Sequence, residues 1–542
     1  LSSCKKDINA KFPDISNPVG DAQQEGIKMQ LGKKMRNPYS ISNMTAAYWS
    51  WRSKFRGEGD FPSGDEIAQI IVSTNTYYRT LPIDEEAYEL LRQDTTKEFF
   101  DFPLDYELSG GNTYRDPNLE DTVLSWQYTV VPNSALGSQR MTGENIEILT
   151  NDIFLPENSP YYNEFDTTFW NAIENEALIL AGYPEEAAAI NAYKGGTIKI
   201  FQEVVTNLTN YVATAIVPLE GAKIVGRNFW RHAHGYTDVN GLFTLNKDLR
   251  GSINYFIKWE RPGKYDIRSG WYGQAWSVIG KKPTTSLWEY TIQPSDRDGF
   301  DIFYGSIHRG AYDFFYHDPW GFSKPSARIK IGGLKGEGTG VNSHAASILA
   351  GPDIRVWKKS SNGLNKKTDL VYGTTIHEFG HSSHRSLGVN RLIFCSNMFR
   401  ESYANMIEWL FCSYKHFTAD LDSPTNNIEY SYNYVKYSFD IDNNNLSSTL
   451  YTPMFIDLFD VDTDNTYIYI KSPSSTNMIE SISFDPLVLE HFLDIKPLNA
   501  QEDKNLIDLR DYLKAQPNTP ANVDTDIDNY INTYYLPYKF EK

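Results

Sequence analysis

The sequence predicts a multidomain α+β protein in which a β-sandwich module precedes a region of mixed helices and strands that carries the chemistry. Three observations lead there. The chain has 542 residues, enough for several domains. Between residues 201 and 292, short β-rich runs alternate with turn signals. From residue 293 onward, apolar residues recur at helical spacing, and one helical run contains His-Glu-x-x-His.

The elements follow in order. Residues 1–67 read as a polar tether and then a short helix over 42–55. The opening Leu1-Ser2-Ser3-Cys4 resembles the end of a bacterial lipobox, which implies a lipid on Cys4 and an outer-membrane or cell-surface location after removal of a signal peptide. Residues 68–200 predict a small α+β accessory region. Runs 68–74 and 76–81 read as strands and 84–94 as a helix. A second helix over 165–181 puts Trp170, Ile173, Ala177 and Leu178 on one side. No catalytic constellation falls in this region.

In 201–292, runs 212–217, 222–227 and 236–245 read as strands. Asn240-Gly241 predicts a hairpin turn, and regular short strands with such turns predict a sandwich. His232 and His234, just ahead of that turn, are expected to be exposed strand residues. In 293–542, the spacing of Phe300, Phe303, Ile307, Ala311 and Phe314 predicts a helix. Strands are expected over 327–331 and 353–357, and helices over 369–386 and 397–414.

Composition narrows the partners. A net charge of −18 argues against nucleic acid. No run of 18 apolar residues exists, so no transmembrane helix is expected. The 36 Tyr, 29 Phe and 12 Trp fit either a large aromatic core or a surface that grips glycans or peptides. Cys395 and Cys412 are too few for a disulfide framework; they read as buried packing residues, with pairing between them left open. Asp460-x-Asp-x-Asp resembles the start of a calcium loop. Asn465 and Lys471 stand where that loop needs Gly and a bidentate Glu, so a solvated acidic loop is expected.

The chemistry concentrates in 374–384. On a helix, His377 and His381 at i and i+4 project from one face and can bind one zinc ion. Glu378, beside the first His, is placed to act as general base on a water. A catalytic zinc needs a third protein ligand. Downstream, Glu401, Asn405, Glu408 and Cys412 share one face of an otherwise apolar helix, where buried polar groups need partners. Glu401 is the leading ligand and Glu408 its competitor. Asn405 is the candidate for a hydrogen bond to the far nitrogen of a ligand His. His384 is expected beside the site, as support, substrate contact or packing. The blander reading makes His377 and His381 ordinary helix residues.

His377-Glu378-x-x-His381, with Glu401 twenty positions on and Asn405 four further, resembles the gluzincin (thermolysin-like) zinc metallopeptidases. The resemblance implies a zincin-like catalytic domain over 293–542, with Zn2+ held by His377, His381 and Glu401, and Glu378 as base. Asn405 stands where thermolysin-type enzymes carry Asp. The metzincin pattern fails, because His384 and Leu387 stand where it needs Gly and His. Gluzincins also use a His or Tyr oxyanion donor, for which Tyr432, Tyr434 and Tyr437 qualify by type. Separately, Pro218-Leu-Glu-Gly-Ala-Lys-Ile-Val followed by Thr237-Asp-x-x-Gly-x-Phe resembles the carboxypeptidase-regulatory-like β-sandwich of surface peptidases. The expectation is a zinc peptidase acting on extracellular peptides, proteins or glycoproteins. Its main rival is a non-enzymatic, aromatic-rich surface lipoprotein that binds glycans or peptides. A third reading is an inactive zincin, against which the intact Glu378 speaks.

Overall fold

The computed structural model describes residues 26–55, 61–94, 97–120, 123–136, 145–188, 194–205, 212–249, 251–282, 287–338, 340–342, 351–388, 395, 397–417, 455, 458, 484–495, 502–516 and 527–528. Cys4, Tyr432, Tyr434, Tyr437 and the acidic loop at 460–471 lie outside the described residues. The architecture is mixed α+β, with helices packed on several sheets.

The N-terminal part builds on capped helices. α1 (Ile41–Lys54) opens on Ser40, whose hydroxyl accepts from the Asn43 amide. α2 (Gly64–Ile70) opens on a capping box between Ser63 and Glu66. That box corrects the strand expected from residue 68: it starts a helix in which Ile67 and Ile70 face the core one turn apart. β1 (Asn75–Leu81) is central in an antiparallel sheet between β2 (Gln127–Pro132) and β3 (Asn145–Ile153). α3 (Glu85–Gln93) and α4 (Thr167–Leu180) begin at the caps Asp84 and Asp166. Trp170, Ile173, Ala177 and Leu178 of α4 are buried, as their spacing predicts.

Two four-stranded sheets follow. The first joins β4 (Gly195–Val205), β5 (Val212–Pro218), β8 (Leu242–Thr244) and β12 (Trp288–Ile292), with β4 bonded to the other three. The second runs β11-β9-β6-β7, from Trp276–Lys281, Asn254–Lys258, Lys223–Asn228 and Arg231–Tyr236. Their inner faces meet where Tyr255 packs on Phe243 and Trp288, ring centroids 5.9 and 4.7 Å apart.

The turn at Asn240-Gly241 forms, and main-chain bonds from Asp238 to the Leu242 carbonyl and from Asn246 to the His234 carbonyl span its arms, but the flanking strands do not pair as one ladder. The Asp238 carboxylate accepts from the amides of Asn240 and Leu242, both at 2.9 Å. Gly241 adopts φ 74°, and a Cβ there would sit 2.2 Å from the Ile198 carbonyl oxygen. The turn is thus seated against β4, and its flanking strands enter different sheets. His232 and His234 are half-buried rather than exposed, because the segment at Glu98 and Phe100 covers that side of β7. Burial lowers the His232 pKa to about 4.

The accessory region is packed firmly onto this module. Phe100 stacks on Trp276 at 5.8 Å. Beside it, buried Lys223 and Lys258 reach Glu98 at 2.8 and 2.6 Å and Glu260 at 2.8 and 3.3 Å. Removing one member of such a cluster leaves an uncompensated buried charge.

A six-stranded sheet crosses the expected boundary at residue 292. β10 (Tyr265–Ser269) pairs in parallel with β13 (Ile329–Glu337), and β13 in parallel with β15 (Ile354–Lys359). β14 (Gly340–Asn342) runs antiparallel along β15 as the edge strand. α5 (Phe300–Tyr316), α6 (Thr368–Ser386) and α7 (Asn397–Phe417) share one apolar core with this sheet. Cys395 and Cys412 are both buried, as packing residues would be, and form no disulfide with each other. Among the described residues no helix is long and apolar enough to cross a membrane.

Candidate metal centre

The helix carrying His377 is fixed from its first residue. Thr368 Oγ1 donates to the Glu203 carbonyl at 2.8 Å and accepts from the Glu203 amide at 2.6 Å. Lys367 reaches the Glu203 carboxylate at 2.6 Å, so the start of α6 is tied to β4. Further along, Asp313 of α5 accepts from the Tyr372 hydroxyl at 3.0 Å and pairs with Lys415 of α7 at 2.8 Å. One carboxylate therefore links three helices. The Ser383 and Tyr403 hydroxyls lie 3.0 Å apart and join α6 to α7 directly.

Gly380, inside the His-Glu-x-x-His run, costs about 1 kcal/mol of helix propensity relative to Ala. Its reason is close approach. A Cβ at Gly380 would lie 2.8 Å from the Ala404 Cα and 3.2 Å from its Cβ. Gly380→Ala should push α7 away and carry Glu401 with it. The expected net loss is about 1–2 kcal/mol after the propensity gain, read by urea unfolding, with weaker metal affinity. Ala404→Gly in that background should restore only part, since the clash with the main chain of residue 404 persists.

The two helices bring His377, His381 and Glu401 together. Their ligand atoms all lie within 4.8 Å of one another, and all three residues are buried. His377 Nε2 is 3.3 Å from Glu401 Oε2, and His381 Nε2 is 3.6 Å from Glu401 Oε1. The imidazole planes are nearly perpendicular, at 84°. On the other side of the ring, His377 Nδ1 lies 3.1 Å from Glu408 Oε2. Of the two acidic candidates on α7, Glu401 thus meets the converging nitrogens and Glu408 supports His377 from behind. The bond to the far nitrogen of His377 comes from Glu408, not from Asn405, which is buried on the same helix.

Burial opposes charge on every member. On His377, burial works to lower the pKa, but the hydrogen bonds the ring donates to Glu401 and Glu408 overcome it and raise the value. On His381 burial wins and lowers it to about 4. Burial would raise Glu401, but the two imidazoles hold it at about 2. Glu378 is pushed up to about 8, first by burial, then by Glu401 and Glu408, against the pull of His377. The cluster concentrates carboxylate charge around two imidazoles, which suits a divalent cation.

Other residues sort themselves around this group. His384 is fully buried, edge-on to Tyr403 at 5.5 Å, and neither ring nitrogen has a hydrogen-bond partner among the described residues. Lys366, absent from the sequence expectations, sits within electrostatic reach of Glu378 and Glu408. Burial lowers its pKa to about 8 against their pull. No spacing rule points to a loop lysine; only the fold brings it there.

Fold and site together define a mixed α+β protein with a buried candidate metal centre of two imidazoles and one carboxylate. No family model, no curated protein and no solved structure matches the chain.

Proposed function

We propose that this protein is a zinc-dependent peptidase of the gluzincin type, with a zincin-like catalytic region. The observation that carries the reading is the convergence of His377, His381 and Glu401 on one point, with Glu378 one residue from the first imidazole. Two imidazoles, with His377 giving up its proton to the incoming cation, and a carboxylate are a donor set that favours zinc over calcium or magnesium. Zinc bound there would supply Lewis-acid polarisation of a carbonyl and acidify water.

The protein's own residues do the rest. Glu378 takes a proton from the attacking water and returns it to the leaving amine, so that one carboxyl serves as base and then acid. Glu408, accepting at Nδ1, favours the His377 tautomer whose lone pair sits on Nε2. Among the described residues β14 lies at the sheet edge beside α6. An edge strand presents backbone groups to which an extended peptide can add. That favours polypeptide as the substrate class.

Purified protein should carry about one equivalent of chelatable zinc. The His377→Ala/His381→Ala double variant should carry none, measured by elemental analysis. Full occupancy in the double variant would remove the site assignment. Occupancy without turnover on any peptide library would leave a metal-dependent binding protein instead.

A further inference from the structure

A cleft of about 330 Å³ opens between α2, with the residues just ahead of it, and the residues leading into α4. Three aromatic side chains line it, Phe61, Tyr161 and Phe165, with Glu66, Gln69 and Glu164 among them. None belongs to the helices that carry the metal centre.

The aromatic wall is braced from behind. Trp51 meets Phe61 edge-on at 5.2 Å and Phe169 at 5.5 Å, and Phe165 stacks on Phe169 at 4.6 Å. The polar groups are available. The side chains of Gln69, Tyr161 and Glu164 make no hydrogen bond among the described residues. Glu66 spends one oxygen on the Ser63 amide and keeps the other.

Charge decides the occupant. Two carboxylates and the negative faces of aromatic rings make a site for an organic cation. One cation is already there: the Arg52 guanidinium lies 4.6 Å over the Phe61 ring, which shows that this ring accepts a cation and leaves the two carboxylates one charge in excess. The neighbouring Lys54 is committed to Glu176 at 2.5 Å. An anion would be repelled by both carboxylates, and a neutral sugar would use them only as hydrogen-bond acceptors, without the charge attraction a cation gains. The chain's net charge of −18 draws cationic partners towards the surface. The volume lies at the low end for ligand pockets, which suits side chains of an extended segment and not a folded domain.

We propose that this cleft is an exosite for a Lys- or Arg-bearing stretch of polypeptide, separate from the metal centre. The choice of a polypeptide as carrier of the cation rests on the peptidase reading; the cation preference does not.

The test uses full-length protein carrying Glu378→Gln, so that ligands stay intact. Fluorescence anisotropy compares a labelled Lys-Ser repeat peptide, a Glu-Ser repeat of equal length and a neutral oligosaccharide. The second protein adds Glu66→Gln and Glu164→Gln. Gln at position 66 still caps Ser63, so α2 should be preserved. The Lys-Ser peptide should bind, and the double Gln change should weaken it roughly fivefold to tenfold, with zinc content unchanged. Added salt should weaken it further. Binding unaffected by the two substitutions would mean diffuse attraction to the acidic surface and would overturn the site. So would no binding, or preference for the oligosaccharide, which would make the cleft a glycan site. Full competition by free spermidine at the peptide's own affinity would overturn the polypeptide assignment. If the wild-type protein cleaves nothing but the Lys-Ser peptide still responds to both substitutions, the peptidase reading fails and the cation site stands.

Discussion

Glu378→Gln is expected to retain about one equivalent of zinc and to lose at least about a hundredfold in turnover, the scale of general-base catalysis. A hundredfold corresponds to about 2.7 kcal/mol of transition-state stabilisation. The two effects separate because Glu378 stands outside the converging group formed by His377, His381 and Glu401. It is buried, and burial together with Glu401 and Glu408 pushes its carboxyl up to about 8. A divalent cation at the nearby nitrogens would favour the carboxylate and bring that value down towards neutrality, where a base works best. Gln fills the same volume and is neutral, so a buried position accepts it and the metal ligands are undisturbed. Cleavage sites mapped by mass spectrometry in a mixed peptide library give the readout. A Gln variant that cleaves as fast as wild type would leave the base unassigned. Parallel loss of zinc would make Glu378 a ligand.

What could be read from the sequence follows physical range. The site was legible because its rule is local: i and i+4 on one helix, and one helical face downstream. His377, His381 and Glu401 meet as that rule requires. Gly380 was legible too, as a glycine that weakens its own helix and so needs a packing reason, which Ala404 supplies. The rest depended on which elements pack together. Glu408 and Asn405 lie on the same face, and periodicity cannot say which of them reaches His377 Nδ1. The half-burial of His232 comes from Phe100, more than a hundred residues away. Ala68–Ile70 were misread because a Ser63–Glu66 capping box outweighs a short β-branched run. The boundary expected at 292 is crossed by the pairing of β10 with β13, which lies beyond it. Parallel pairing needs a long crossover and leaves no turn signature.

The second large effect distinguishes the two acidic residues of α7. Glu401→Gln should lower zinc affinity by more than about a hundredfold, above the range of support residues, because it removes the only anionic ligand of the set. Glu408→Gln should lower it by about tenfold to a hundredfold, the usual consequence of losing the partner behind a ligand imidazole. The geometry makes the difference specific: Glu401 faces both Nε2 atoms, whereas Glu408 touches only Nδ1 of His377. Competition with a zinc chelator of known affinity measures both. The two losses should not add in the double variant, since once Glu401 is gone the orientation of His377 matters less. Cobalt-substituted protein gives an independent view, because replacing a coordinating carboxylate changes the visible spectrum and replacing an outer one leaves its form intact. Should Glu408→Gln prove the more damaging and alter the spectrum, Glu408 is the ligand. The thermolysin-like arrangement would then fail at its third residue while a zinc hydrolase survives.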